Sequence, residues 1–149
     1  MIADFRDLLA AFVAARVRFL VVGAHALAAH GVPRVTGDLD IWVEANAENA
    51  ARVWRALAAF GAPLTSLDVI EEDFTKPDNV VQFGLPPYRI DVMTSVSGLA
   101  FGEAWKGRSE GLLFEVPVAF LGREDLIRNK RASGRPKDLR DVEALGGGS

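Results

Sequence analysis

None of the 149 residues is cysteine. Disulfides, thiolate metal sites and a cysteine nucleophile are therefore excluded, and cysteine usage says nothing about the redox compartment. An excess of one charge is missing as well: 17 Lys and Arg face 20 Asp and Glu, a formal net charge of −3. A chain so balanced does not coat nucleic acid or an anionic membrane by charge alone, although local clusters remain open to such roles. Long apolar runs are absent. The longest, FLVVGAHALAAHG at residues 19–31, is interrupted by Gly23 and by both histidines of the chain. It falls short of a membrane span and lies too far in for a signal peptide, so the expected location is the cytoplasm, with no membrane partner. No repeat or compositional break divides the chain, and its 50% apolar content suffices for one sizeable core. The expectation is a single domain over residues 1–145, with the closing GGGS, residues 146–149, as a flexible tail of linker-like composition.

Periodicity supplies the elements. Asp4 is placed to cap a first helix in which Phe5, Leu8, Leu9 and Phe12 recur at helical spacing. VRFLVVG then reads as a buried strand ended by Gly23, followed by a short Ala-rich helix from Ala24 to His30. In GDLDIWVE, residues 37–44, alternation sends Leu39, Ile41 and Val43 to one face and Asp38, Asp40, Trp42 and Glu44 to the other. Asn46 is a cap for a helix with an apolar stripe of Ala47, Ala50, Trp54, Leu57 and Ala58, stopped by Gly61 and Pro63. VVQFG and YRIDVMT read as strands joined by a Leu-Pro-Pro hairpin connection, residues 85–87, and place a third carboxylate, Asp91, between Ile90 and Val92. Ser97 is a possible start for a helix holding Phe101 and Trp105. Pro117 marks FEVPVAFL as an edge strand, and two helices around ASGRPK close the chain.

A carboxylate on a core strand costs several kcal/mol unless it is paired, solvated or bound to metal. Two of them on one face, as at Asp38 and Asp40, call for a cation. Residues two apart on a strand have Cα atoms roughly 6.6 Å apart, a gap side chains can close around hard cations. Asp91 offers a third ligand if its strand lies alongside. Three carboxylates on adjacent strands suit two ions about 3.5 to 4 Å apart, an arrangement for in-line displacement at phosphorus. For an isolated D-x-D the plainer reading is a helix or loop terminus followed by a solvated strand residue.

The upstream element separates these readings. Gly23 turns an apolar strand into a helix whose free N–H groups are suited to phosphate. Gly23-Ala24, thirteen residues, then Asp38-Leu39-Asp40-Ile41, with Asp91 in YRIDVM and the tail LIRNKRASGRPKDLRDVEAL, resembles the nucleotidyltransferase superfamily of the DNA polymerase β-like fold. The tail is similar to that of small bacterial members related to abortive-infection and toxin–antitoxin nucleotidyltransferases. The resemblance implies an α+β fold, a mixed twisted sheet with flanking helices. It implies a metal-dependent nucleotidyltransferase that moves a nucleoside monophosphate from an NTP such as ATP to an acceptor and releases pyrophosphate. Asp38, Asp40 and Asp91 would be the catalytic residues and ligands of Mg²⁺, two ions, or of Mn²⁺, and Asp91 would help deprotonate the acceptor hydroxyl. Gly23 and Ala24 would seat the triphosphate. An RNA 3′ end, a protein hydroxyl and a small molecule are all acceptors within the resemblance, and a partner protein or a homodimer would supply acceptor surface. Where the family has a second Gly or a Ser, this chain has Ala24, which keeps the N–H but offers no hydroxyl. The alternative is therefore a catalytically weak or inactive nucleotide-binding module of a toxin–antitoxin type system; a phosphohydrolase is a further rival.

Other residues join the nucleotide-binding expectation. His25 directly follows the phosphate turn, whereas His30, five residues on, shares no face with it and is a poor co-ligand; packing or a surface position is the plainer reading for both. Arg34 and Thr36 lie in the loop before the acidic pair, where phosphate or base could be met. Lys130, Arg135 and Lys137 flank a Gly-containing turn in the family-like tail and are suited to neutralise phosphate; a solvated helix surface is the plainer reading. Trp42 shares the face of the carboxylates and could stack on a base, with helix cover over that part of the sheet as the plainer expectation. Glu44, about 13 Å along the strand from Asp40, is too far to be a ligand.

Overall fold

The computed structural model describes residues 2–84 and 87–147. Its α-helices are α1 (Ile2–Ala14), α2 (Gly23–Ala29), α3 (Ala47–Phe60), α4 (Phe101–Lys106), α5 (Arg123–Ser133) and α6 (Pro136–Ala144), with a short 3-10 helix at Glu71–Thr75. Six strands, β1 (Phe19–Val22), β2 (Asp38–Val43), β3 (Val80–Phe83), β4 (Arg89–Met93), β5 (Ser109–Leu113) and β6 (Val116–Phe120), form one sheet in the order β3-β4-β2-β1-β6-β5. The sheet is mixed. β2 runs parallel to β4 and β1 parallel to β6, while β1–β2, β3–β4 and β5–β6 are antiparallel. The fold is thus α+β, with helices on both faces. Among the described residues no helix is long and apolar enough to cross a membrane.

Alternation along β2 divides the core. Leu39, Ile41 and Val43 join Phe5, Leu8, Leu9 and Phe12 of α1 and Val53 and Leu57 of α3 beneath the sheet. Trp42 faces the other way, with Leu20, Val22, Leu27, Phe101, Leu126 and Ile127. Its ring meets Phe101 edge-on at 5.0 Å between centroids, so the expected helix cover over Trp42 is present. The carboxylate face of the sheet is therefore roofed by α4 and α5 at its Trp42 end and left open at its Asp38 end.

Several boundaries differ from the sequence reading, each for a local reason. Asp4 lies inside the first turn of α1, where its charge suits the helix dipole, and does not precede it as a cap. The Asn46 cap of α3 holds: its side chain accepts from the Asn49 N–H at 2.8 Å, and Gly61 ends the helix at φ 91°. The buried stripe is rotated from the expected one, however, and consists of Asn49, Ala50, Val53, Ala56 and Leu57. Asn49 is inside because its amide donates to the carbonyls of Arg18 and Glu44 and its oxygen accepts from the Arg18 N–H. The helix expected from Ser97 begins only at Phe101. β6 is not an edge: β5, which the sequence reading missed, pairs along its whole length. Pro117 is tolerated because β1 meets β6 only at Val21↔Phe120, leaving Pro117 beyond the ladder on that side. Of the Leu-Pro-Pro connection, Leu85 and Pro86 lie outside the described residues, as do Gly148 and Ser149 of the tail. Gly146 and Gly147 are not a free linker. Their N–H groups donate to Glu143 and Val142, closing α6.

Candidate active site

The parallel ladder between β2 and β4 sets Asp38 opposite Arg89 and Asp40 opposite Asp91. On either side the register continues the row, with Val22 opposite Asp40 and Gln82 opposite Asp91. Two carboxylates are thereby placed side by side on adjacent strands, about 4.8 Å apart in backbone. Immediately after Val22 the chain turns at Gly23, with φ 67°. A side chain there would be strained, and its Cβ would collide with the Asp40 carboxylate. Glycine at 23 is thus what allows the turn and the acid to touch.

Arg89 stands among these acids. Its Nη2 donates to Asp38 Oδ2 at 3.1 Å and to Asp91 Oδ2 at 3.2 Å, and its Nε is 3.1 Å from Asp91 Oδ1. Asp91 Oδ1 is nevertheless buried with no hydrogen-bond donor, because the Nε approach has the distance but not the angle. Arg89 reaches Asp38 and Asp91; Asp40 is left to its acidic neighbours. Burial, a hydrogen bond shared with Asp91, and the charges of Asp91 and Asp38 together push the Asp40 carboxyl up to about 7, with Arg89 opposing. Three acids against one guanidinium make a site short of positive charge.

That shortage is the test for metal. The donors are hard carboxylate oxygens, one of them buried and without a donor, which is the chemistry Mg²⁺ and Mn²⁺ accept. Among the described residues no three acidic or imidazole groups converge on one point as they stand. Arg89 holds Asp38 and Asp91 in another direction. The residues fit divalent cations provided that the guanidinium shifts aside.

A cleft of about 580 Å³ opens from this row toward α5 and α6. Gly23, Ala24, Arg34, Thr36, Asp38, Asp40, Lys130, Arg135 and Lys137, all candidates from sequence, line it. Thr36 buttresses the acidic strand, its Oγ1 accepting from the Asp38 N–H at 2.9 Å. The basic residues divide by partner. Lys130 is buried, with Nζ 3.1 Å from Asp141 and 3.5 Å from Asp138. Arg34 crosses from the loop before β2 to Asp141 at 2.5 Å. Arg135 forks onto Asp138 with bonds of 2.7 and 3.2 Å. The Arg135 bond first, with Lys130 assisting, holds the Asp138 carboxyl below its ordinary range. Burial opposes ionisation of Asp141, but the bonds from Arg34 and Lys130 outweigh it and lower that carboxyl too. Lys137 is exposed and makes no ion pair among the described residues.

His25 is not brought to the cleft. Its ring packs edge-on against Phe5 and Phe114. Burial pushes the imidazole down, with the Asp38 main chain partly offsetting it. His30 sits elsewhere, its Nε2 2.8 Å from the Leu121 carbonyl. The sequence reading missed Arg89, although the alternation that places Asp91 also puts residue 89 on the same face. It missed Asp138 and Asp141 because a mixed-charge helix end reads as solvated, and nothing local shows that both are buried.

No curated protein matches the chain. A crystal structure of a Thermotoga maritima protein, itself provisionally described as a nucleotidyltransferase, is similar in fold: TM-score 0.59 at 15% identity, covering 96% of this chain and 88% of that one. A family model described as nucleotidyltransferase of unknown function (DUF6036) matches residues 5–146. A strand-to-helix turn touching an acidic pair, a third acid on the neighbouring strand, and that match over nearly the whole length place this chain in the DUF6036 nucleotidyltransferase family.

Proposed function

We propose that the protein transfers a nucleoside monophosphate from an NTP to a hydroxyl-bearing acceptor. The observation that carries this is the row Gly23–Asp40–Asp91, an acid-rich rim short of positive charge, of which Gly23 and Asp40 line a cleft whose far wall presents Lys130, Arg135 and Lys137. Asp38, Asp40 and Asp91 would hold divalent cations, Mg²⁺ or Mn²⁺, which when bound neutralise the phosphates and polarise the reacting oxygens. The Gly23–Ala24 turn seats the triphosphate, and the basic wall neutralises it. In the step itself the acceptor oxygen forms a bond to the α-phosphorus, the bond from that phosphorus to the β-phosphate oxygen breaks, and pyrophosphate leaves. The hydroxyl proton passes to a carboxylate, a role we assign to Asp91 on the strand that borders the acceptor side.

In-line displacement fixes the side of attack. With the pyrophosphate end held over the β1–α2 turn, the acceptor must come from the opposite side of the carboxylates, over β4 and β3. A second hollow lies there, of about 370 Å³, bordered by Asp38, Gln82, Phe83, Tyr88 and Arg89. Arg89 borders this hollow and would have to release Asp38 and Asp91 for those carboxylates to hold cations. The acceptor itself, an RNA end, a protein hydroxyl or a small molecule, is found by incubating the protein with each α-labelled NTP and Mg²⁺ beside a cell lysate. Label should move onto one acceptor class and disappear with Asp40→Asn. Release of γ-phosphate with no labelled acceptor would make the protein a phosphohydrolase, and metal-dependent NTP binding without any transfer would make it a nucleotide-binding module.

A further inference from the structure

The end of the large cleft away from the carboxylates has a chemistry of its own. On α5, Lys130 turns toward α6, whereas Asn129 turns toward the loop after β4, its Nδ2 donating to the Ser97 carbonyl at 2.9 Å. That bond uses one of the two amide N–H donors and leaves Oδ1 as an acceptor. Facing the same cleft is Asp78, held in the left-handed region at φ 64°. Ser95 clamps it twice: the hydroxyl accepts from the Asp78 N–H at 3.0 Å and donates to Asp78 Oδ1 at 2.9 Å. The next residue is stitched to β4 as well, Asn79 N–H to Thr94 Oγ1 and Thr94 N–H to the Asn79 carbonyl. Aspartate adopts this region more readily than most residues, and the bonds to Ser95 and Thr94 hold the segment in place. What the clamp delivers is an exposed carboxylate at the cleft wall, oriented through its Oδ1 and with Oδ2 open to a ligand.

We propose that this acceptor-rich end holds the nucleoside of the NTP, and that Asp78 selects it by accepting a hydrogen bond from a donor group, an amino group of the base or a hydroxyl of the ribose. This rests on the nucleotidyltransferase reading, which occupies the other end of the cleft with the triphosphate. An ionised carboxylate is acceptor only, so a nucleotide that turns an acceptor toward it is rejected, and one lacking the donor loses the bond. Ser95 is the positioning residue that aims Asp78.

The test measures binding of α,β-methylene NTP analogues with Mg²⁺ by calorimetry, which requires no turnover. If the base supplies the donor, guanosine should bind about five- to tenfold more tightly than inosine, which differs only by the amino group, or cytidine correspondingly more tightly than uridine. If the ribose supplies it, each base should lose a similar factor in the 2′- or 3′-deoxy form. Asp78→Asn tolerates the same backbone conformation and adds a donor, so it should abolish or invert the preference at an unchanged melting temperature. Ser95→Ala should weaken the preference while leaving triphosphate-dependent binding in place. Equal binding of all analogues, or preferences indifferent to Asp78→Asn, would overturn the role of Asp78 while leaving the transferase reading intact. No binding of any analogue would overturn both.

Discussion

Two ionic clusters face each other across the cleft, and their electrostatics are opposite. At the rim of β2 and β4, Asp38, Asp40 and Asp91 share one guanidinium, and the Asp40 carboxyl is pushed up to about 7. On the α5–α6 wall, Asp138 and Asp141 are shared among Lys130, Arg34 and Arg135, and both carboxyls are lowered. The wall's two carboxylates are fully compensated, with positive charge left over at Lys137; the rim's three are not. A cluster that compensates itself contributes to the fold when intact and costs heavily when one member is removed, whereas a cluster short of a cation weakens the free protein and is completed by a ligand. Function on this reading is concentrated at the unsatisfied side, with the wall as a preformed counter-surface.

The largest expected effect breaks the rim. Asp40→Asn should lower transfer by about a thousandfold or more, on the order of 4 kcal/mol of transition-state stabilisation, with the fold retained. Steady-state rates and a melting curve on the same preparation check it. A variant that transfers normally would remove the carboxylate row from the mechanism.

The wall should respond the other way. Asp138 is fully buried and receives both Arg135 and Lys130. Asp138→Asn leaves the Lys130 ammonium under-compensated in the interior and should cost about 3 kcal/mol of stability, read from urea unfolding. At this chain length that is a fall of roughly 10 °C in melting temperature. Loss of activity with full stability would instead make Asp138 part of the chemistry.

Much of the rim was legible from sequence, and little of the wall. In β2 and β4, apolar neighbours flank each acid, so a period of two shows both the strand and the misfit residues. The same period, applied to YRID, would have exposed Arg89. The wall depends on Arg34 meeting Asp141 107 positions away, which no local pattern reports. β5 was illegible for a related reason: SEGLL has three exposed residues at its centre and no alternation, so only its pairing with β6 makes it a strand. Pro117 misled because a missing N–H excludes a residue from a full ladder, not from an interior strand whose neighbour stops short.

A pH titration sharpens the contrast at smaller amplitude. The folded carboxyl of Asp40 stands above its unfolded value, so its contribution to metal-free stability is full below about pH 4 and is lost as pH rises through about 7. Those of Asp138 and Asp141 stand below theirs, so their contribution is present above about pH 4 and is lost as pH falls further. Stability without metal should therefore peak near about pH 5. Asp40→Asn should erase the decline toward pH 8, making the variant more stable there by about 1 to 2 kcal/mol, with solvent screening at the partly open rim discounting the full shift. A wild-type curve that stays flat from pH 5 to 8 would show that Asp40 is already neutralised by something other than a proton.

The smallest effect concerns the junction of the two regions, where Ala24 lines the cleft directly after the Gly23 turn. The wall can attract a triphosphate by charge alone; the turn can hold it only by hydrogen bonds. Ala24→Ser adds one hydroxyl there and no charge, so any change in affinity reports on the turn and not on the wall. If the triphosphate is seated at the turn, Mg²⁺-dependent binding of the α,β-methylene analogues should tighten by about 1 kcal/mol, roughly fivefold, the net worth of one added hydrogen bond. The gain should survive in Lys137→Ala, because the two residues act on the phosphates independently and well-separated changes add. Unchanged affinity would assign phosphate binding to the basic wall and leave Gly23 with a purely structural task, making room for Asp40.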